Sequence, residues 1–220
     1  MSIQIIILTI ISALLAGILY YYRTNYLSLT SIENNIFRTI RMTCVYVLLP
    51  FGWAYFIKKI PLKDFGIRKK KLILSIIFGL GIYSIALVAF LVSLGNPDFD
   101  KYFRWGTEYS ITEWLFILSL VSWMAFVTDL WTRGFVLMLL SKYQSPWFGI
   151  LAQNVTWLLV HLYEVALLAP SMTVAGALML TITLGVLGDI IALKTKNIIG
   201  LGIGHIYLNI AFFGYIRFLG

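Results

Sequence analysis

Charge is what this chain has least of. Only 12% of its 220 residues are Asp, Glu, Lys or Arg, while 60% are hydrophobic and the mean hydropathy is +0.91. Soluble domains carry about 25% charged and about 45–50% apolar residues, so the composition points away from water and toward a polytopic membrane protein. Cysteine is scarcer still. The single Cys44 lies in an apolar run, which excludes an intrachain disulfide framework and a four-cysteine metal site. Acidic residues number 9 against 17 basic ones, a net charge of +8. The basic excess lies beside apolar runs, where it meets lipid headgroups and sets topology; lipids rather than nucleic acid are the expected partners. There is no nucleotide-binding glycine loop, internal repeat, low-complexity tract or interdomain linker, so residues 1–220 read as a single integral membrane domain.

A hydrocarbon core about 30 Å thick needs roughly 20 apolar residues per helix. Seven windows qualify: Ile3–Tyr21, Thr43–Ile60, Leu72–Leu94, Thr112–Leu140, Trp147–Leu162, Met172–Leu193 and Ile198–Phe218. The fold class expected is all-α, a transmembrane helix bundle of about seven spans. The first window has no basic residue ahead of it and is followed by Tyr20-Tyr21-Tyr22-Arg23, so it reads as a retained span, not a cleaved signal. The segment 22–42 places Leu27, Leu29, Ile32, Ile36, Phe37 and Ile40 at roughly helical spacing, which suggests an interfacial amphipathic helix or else a disordered loop. Pro50 inside the second window should kink or loosen it.

Lys58, Lys59, Lys63 and Arg68 to Lys71 form the clearest positive-inside signal. With that cluster in the cytoplasm, alternation puts ten basic residues on that face (those seven with Lys142, Lys194 and Lys196). Six fall outside: Arg23, Arg38, Arg41, Lys101, Arg104 and Arg217. The N-terminus is then cytoplasmic and the C-terminus outside. The segment 95–111, with Asp98, Asp100 and Glu108, falls on the outer side. Trp105, Trp114, Trp123 and Trp147 read as interfacial or packing aromatics.

A charge in a bilayer core costs at least a few kcal/mol, so polar residues inside spans face the bundle interior. Asp129 and Arg133 stand four apart on one helical face and can pair. Gln153, Asn154 and His161 occupy the fifth window, and His205 and Asn209 lie one turn apart on the seventh. Taken singly, each is an ordinary internal pair or helix-to-helix hydrogen bond. Taken together they come from three spans, and convergence into one buried cluster is the economical arrangement. Such a cluster holds the general-base, relay and oxyanion-donor types that hydrolysis requires. Two imidazoles and a carboxylate are also a donor set for a divalent metal, although the spacing does not select metal over a metal-free arrangement. Gly200, Gly202 and Gly204 allow close helix approach ahead of His205.

The order and spacing of these residues resemble the CPBP family of intramembrane proteases, also called Abi or CAAX-protease-like. Its pattern is Glu-Glu-x-x-x-Arg, then Phe-x-x-x-His, then His-x-x-x-Asn or Asp on successive spans. Arg133 is similar to the end of the first motif, Trp157 to His161 to the second with tryptophan for phenylalanine, and His205 to Asn209 to the third. Pro146-Trp147-Phe148-Gly149, Leu193 to Asn197 and Pro61 to Ile67 also resemble family segments, so the likeness runs from about residue 61 to the C-terminus, with 1–60 as added N-terminal spans.

The departure lies in the first motif, where Thr128 and Asp129 stand at the two glutamate positions. The resemblance implies that the first glutamate activates water while the histidines and asparagine position it or stabilise an oxyanion. Threonine cannot be a carboxylate base. Asp129 is one residue on, about 100° round the helix, and one methylene shorter. The expected chamber is therefore His161, His205 and Asn209, with Asp129 as surviving acid and Arg133 as its structural partner. Asp189 on the sixth span reads as a partner for Arg133 or a buried amide, and Glu164 as a solvated helix end. The family implies an endopeptidase acting on a membrane-proximal peptide bond, in a prokaryotic cell membrane. Thr128 leaves enzyme status open and keeps a second expectation alive, an inactive member serving as immunity protein, scaffold or subunit of a larger membrane complex. A proton-coupled transporter using Asp129, His161 and Asp189 is a third, without an inverted repeat to support it.

Overall fold

Backbone N–H and C=O groups in hydrocarbon have no water to bond, which leaves helices or closed barrels as spanning structures. The computed structural model, which describes residues 1–96 and 109–219, takes the helical solution, with no strand among those residues. Among the described residues seven long helices follow one another: α1 Ser2–Tyr26, α2 Ser31–Ile57, α3 Leu72–Val92, α4 Ile111–Tyr143, α5 Pro146–Val160, α6 Leu162–Thr195 and α7 Ile199–Phe218. Six are long and apolar enough to cross a membrane, which makes this a multi-pass membrane protein built as a helical bundle. The exception is α5. Its 15 residues rise only about 22 Å, short of a hydrocarbon core of about 30 Å. The acidic 95–111 connection expected outside lies mostly beyond the described residues, as does Trp105.

Two regions differ from the sequence expectation, each for a local reason. The segment 22–42 is not a separate interfacial helix: α1 continues to Tyr26, and α2 starts at a capping box. There the Thr30 hydroxyl accepts from the Glu33 amide at 3.4 Å, and the Glu33 carboxylate accepts from the Thr30 amide at 2.9 Å. With no glycine or proline before Pro50, the helix then runs unbroken into the second span. Pro50 loosens it as expected: π-helical turns lie on both sides, at Thr43–Leu48 and Trp53–Ile57. The fifth and sixth spans are divided elsewhere than read. α5 stops at Val160, His161 forms the bend (φ −109°, ψ 11°), and α6 begins at once. Pro170 precedes a kink inside α6, where Met172 and Thr173 leave helical geometry and Thr173 takes φ +68°.

Polar contacts tie the connections together at one end of the bundle. Asn197, fully buried, donates its amide to the Lys70 carbonyl at 3.2 Å, while Ser75 donates to the Asn197 carbonyl at 2.9 Å. The Lys71 ammonium reaches the Lys194 carbonyl at 3.1 Å, Lys142 pairs with Asp64 at 2.7 Å, and Ser2 donates to the Tyr143 carbonyl at 3.1 Å. The N-terminus and the basic loops thus share one end. The contact of Trp114 with Phe218, 5.7 Å between ring centres, puts the C-terminus at the other.

α3 and α7 approach backbone to backbone. A Cβ at Gly79 would collide with the Gly200 carbonyl, one at Gly200 with the Ser75–Ile76 peptide, and one at Gly204 with the Gly79 carbonyl. Gly202 instead faces the Phe126 ring of α4. The small-residue spacing of α7 therefore sets how closely His205 is carried against α3 and α4.

Candidate active site

Asp129 closes the α-helical part of α4, and the eight residues after it, Leu130–Leu137, are π-helical. π-Turns recur at functional sites because they re-aim side chains. Here the turn carries Arg133, 1% exposed, back onto Asp129, also 1% exposed, and the two form an ion pair. The guanidinium packs 4.2 Å from the Trp157 ring centre, and its Nε lies 3.5 Å from the Asp189 carboxylate. The Asn154 amide donates to Asp189 at 2.9 Å. Asp189 thus has both partners proposed for it, the arginine and a buried amide, and Gly188 leaves the room that the guanidinium occupies.

Asp129 also gathers two further groups. The Tyr83 hydroxyl of α3 donates to Oδ2 at 3.0 Å, and Nδ1 of His205 lies 3.0 Å from the same oxygen. Arg133 Nη1 donates to the Tyr83 hydroxyl at 3.2 Å, and the Tyr83 ring stacks on His205 at 4.6 Å. A carboxylate only accepts, so Nδ1 of His205 carries the hydrogen and Nε2 presents its lone pair when the ring is neutral. His161 has the same tautomer for the same reason, its Nδ1 lying 2.8 Å from the Trp157 carbonyl. The two imidazole rings are 6.0 Å apart and nearly parallel.

A cavity of about 1000 Å³ is lined by His161, His205, Asn209, Tyr83 and Thr128. Asp129 is not on its wall; it reaches the cavity through His205 and Tyr83. Asn209 donates a long hydrogen bond, 3.3 Å, to the Val121 carbonyl, and the Thr128 hydroxyl turns back to the Met124 carbonyl at 2.9 Å. Glu164, expected at a solvated helix end, is instead the one carboxylate among the described residues on the cavity wall, because α6 starts immediately after the bend at His161. Among the described residues no three His, Cys, Asp or Glu side chains converge on a point where a metal ion could sit, since Asp129 is taken up by Arg133 and Tyr83.

The convergence of α4, α5 and α7 is as expected, and residues 110–211 match the family model for type II CAAX prenyl endopeptidase Rce1-like proteins. Over this stretch the chain is similar to the CAAX protease-like family. Comparison with curated proteins and with solved structures gives no match. The CAAX protease-like region runs from the N-cap of α4 into α7 and holds Thr128, Asp129, Arg133, His161, His205 and Asn209. Tyr83, Arg38 and Arg41 line the same cavity from outside the matched region, and sequence reasoning passed over all three as site residues. A phenol within the third apolar run, one turn beyond Gly79, was the only signal for Tyr83.

Proposed function

We propose that this CAAX protease-like protein is an intramembrane endopeptidase in which His205, held by Asp129, is the general base. The observation that carries this reading is the Asp129–His205 contact at 3.0 Å beside a cavity that also receives His161 and Asn209. Nε2 of His205 takes a proton from water while the water oxygen attacks the peptide carbonyl carbon. Asp129 stabilises the imidazolium so formed, and Tyr83 and Arg133 hold Asp129 in place. The Asn209 amide swings from its long bond to Val121 and donates to the oxyanion. Nε2 of His161 accepts the second hydrogen of the water and orients it. The C–N bond then breaks, the imidazolium returns its proton to the departing amine, and the carboxylic product forms. A positioned general base contributes about 10²–10⁴-fold in rate. Asp129 is on this reading a positioning residue and not the base itself.

The placement of the N-terminus and the basic loops at one end supports an N-terminus in the cytoplasm and a C-terminus outside; the membrane proposed is that of a prokaryotic cell. A second reading has its own observation. Thr128 stands where the family has its first glutamate and spends its hydroxyl on Met124, which favours an inactive member acting as immunity protein, scaffold or subunit.

Wild type, His205→Ala and Thr128→Glu, each reconstituted with membrane-tethered peptides, separate the two. Cleavage by wild type that disappears in His205→Ala supports the peptidase. Cleavage only by Thr128→Glu shows a chamber that has lost its base and supports the second reading, while equal cleavage by wild type and His205→Ala overturns the role of His205.

A further inference from the structure

Two carboxylates flank one guanidinium in the interior. Arg133 is paired with Asp129 and also has the Asp189 carboxylate 3.5 Å from its Nε. All three side chains are buried, and none of them lines the cavity. Asp129 accepts hydrogen bonds from Tyr83, Arg133 and His205, so both of its oxygens are bonded. Asp189 accepts one, from the Asn154 amide to Oδ2 at 2.9 Å. Its Oδ1 has no hydrogen-bond partner, since Arg133 Nε stands past the ordinary limit of about 3.2 Å and is itself unpartnered.

Donors around a carboxylate favour its charged form, and burial favours the neutral one. Of two buried acids that share a single cation, the one with three donors is therefore the carboxylate, and the one with a single donor keeps its proton. Among the described residues no ion pair joins Asp189 to a cation other than Arg133. Of the helices around it, α4 supplies Arg133 and Asp129, α3 supplies Tyr83, whose hydroxyl is donated to Asp129, and α5 supplies Asn154 and leads into His161. On α6 itself Glu164 and Lys194 lie in the first and last turns. His205 completes the network, joined to Asp189 through Asp129 and Arg133. These four groups reach neutrality in two ways: Asp189 protonated with His205 uncharged, or Asp189 ionised with His205 an imidazolium. Only the first leaves a lone pair on Nε2 of His205.

We infer that Asp189 is a positioning residue that holds a proton: it leaves the Arg133 charge to Asp129 and so keeps His205 uncharged and able to take a proton from water. The inference rests on the peptidase reading for the role of His205, and it adds a residue of α6, to which that reading gives no part. When Nε2 of His205 gains its proton, the oxyanion formed in the same step balances the imidazolium, and Asp189 keeps its own proton throughout. Asp189 is also the second counter-ion of Arg133. Where Asp129 loses its charge, Asp189 ionises in its place, because a buried guanidinium without any carboxylate is the costlier state.

The full chain, Asp189→Asn and Asp129→Asn, each in phosphatidylcholine nanodiscs at neutral pH, are compared by infrared spectroscopy. Wild type should show the carbonyl stretch of a protonated, buried carboxyl group, and Asp189→Asn should lose it. Histidine nitrogen resonances, assigned with His205→Ala, should show the His205 ring neutral with its hydrogen on Nδ1. Asp129→Asn should lose the same carboxyl band, because Asp189 then ionises beside Arg133. No such band in wild type, a band that persists in either variant, or a cationic His205 ring would each overturn the inference. The wild-type and Asp189→Asn spectra decide it even if Asp129→Asn fails to fold. In cleavage of a tethered peptide, the acid side of the pH profile should fall at the same pH in Asp189→Asn as in wild type. An ionised Asp189 would help to hold the His205 cation, so a shift of that fall to lower pH in the variant would also overturn the inference. The spectra need no turnover. A carboxyl band with a neutral ring but no cleavage sustains the charge arrangement and sinks the peptidase reading, whereas cleavage lost in His205→Ala without any such band does the reverse.

Discussion

One methyl group added at Gly204 should separate the helices that build the site. A Cβ there would lie 2.5 Å from the carbonyl carbon and oxygen of Gly79 and 2.8 Å from Cδ2 of Tyr83, where ordinary contact begins at 3.4 Å. Neither obstacle is the free end of a flexible chain: one is the backbone of α3, and the other is a ring held by Asp129, Arg133 and His205. Relief therefore requires α3 and α7 to part by roughly 1 Å, or Tyr83 to swing, and overpacking of this kind costs about 1–3 kcal/mol. The same displacement would stretch the 3.0 Å contacts of Tyr83 and His205 with Asp129 beyond hydrogen-bond range, about 3.2 Å. A misplacement of about 1 Å at a catalytic group costs about 100-fold in rate.

Thermal unfolding in detergent and cleavage of a tethered peptide should be measured for Gly204→Ala beside Gly81→Ala. Gly81 is on α3 with nothing within 4 Å of its added Cβ. The Gly81 variant should be neutral or stabilised by up to about 1 kcal/mol through helix propensity. If Gly204→Ala unfolds no earlier than Gly81→Ala, the close α3–α7 packing does not hold the site, and the unfolding measurement decides this even in the absence of peptidase activity.

Removing Asp129 leaves Arg133 buried with only the more distant Asp189, so Asp129→Ala should lose about 3–5 kcal/mol in denaturant unfolding. Pairing it with Arg133→Met should recover part of that loss, and strictly additive losses would mean that the two residues do not act as a pair. By contrast Lys142, 47% exposed in its pair with Asp64, should cost under about 1 kcal/mol on substitution by alanine, and a larger loss would show that this contact anchors the 61–67 segment.

Hydropathy was enough to find the helices because a span must supply roughly 20 apolar residues in a row, whatever its neighbours do. It misjudged α5 and α6 because apolar content runs straight through His161, and a bend made by one residue leaves no trace in a hydropathy window. The motif residues were legible for a similar reason: Arg133, Asp129, His161, His205 and Asn209 are each costly to expose to lipid. Tyr83 was not, since a phenol is tolerated in an apolar run and its role depends on α3 lying against α7. Arg38 and Arg41 were assigned to a membrane face by charge counting alone; only the continuity of α2 from Ser31 into the second span turns them toward the cavity.

On the peptidase reading proposed above, the altered first motif changes which atom meets water more than it empties the site of chemistry. The Asp129 carboxylate is surrounded by three donors, from Tyr83, Arg133 and His205, and has no face on the cavity. A group so fully bonded is poorly placed to accept a proton from water, whereas it is well placed to fix the tautomer of an imidazole and to stabilise its cation. The ring between them has its other nitrogen free on the cavity side. Replacing the family's first glutamate by threonine thus removes a carboxylate from the cavity wall, and the neighbouring aspartate restores negative charge one side chain further back, behind His205. Asp129→Asn separates this arrangement from an inert one: it keeps the shape and removes the charge. If His205 is the working base, cleavage should fall by orders of magnitude while peptide binding persists; unchanged cleavage would mean that Asp129 serves only to neutralise Arg133.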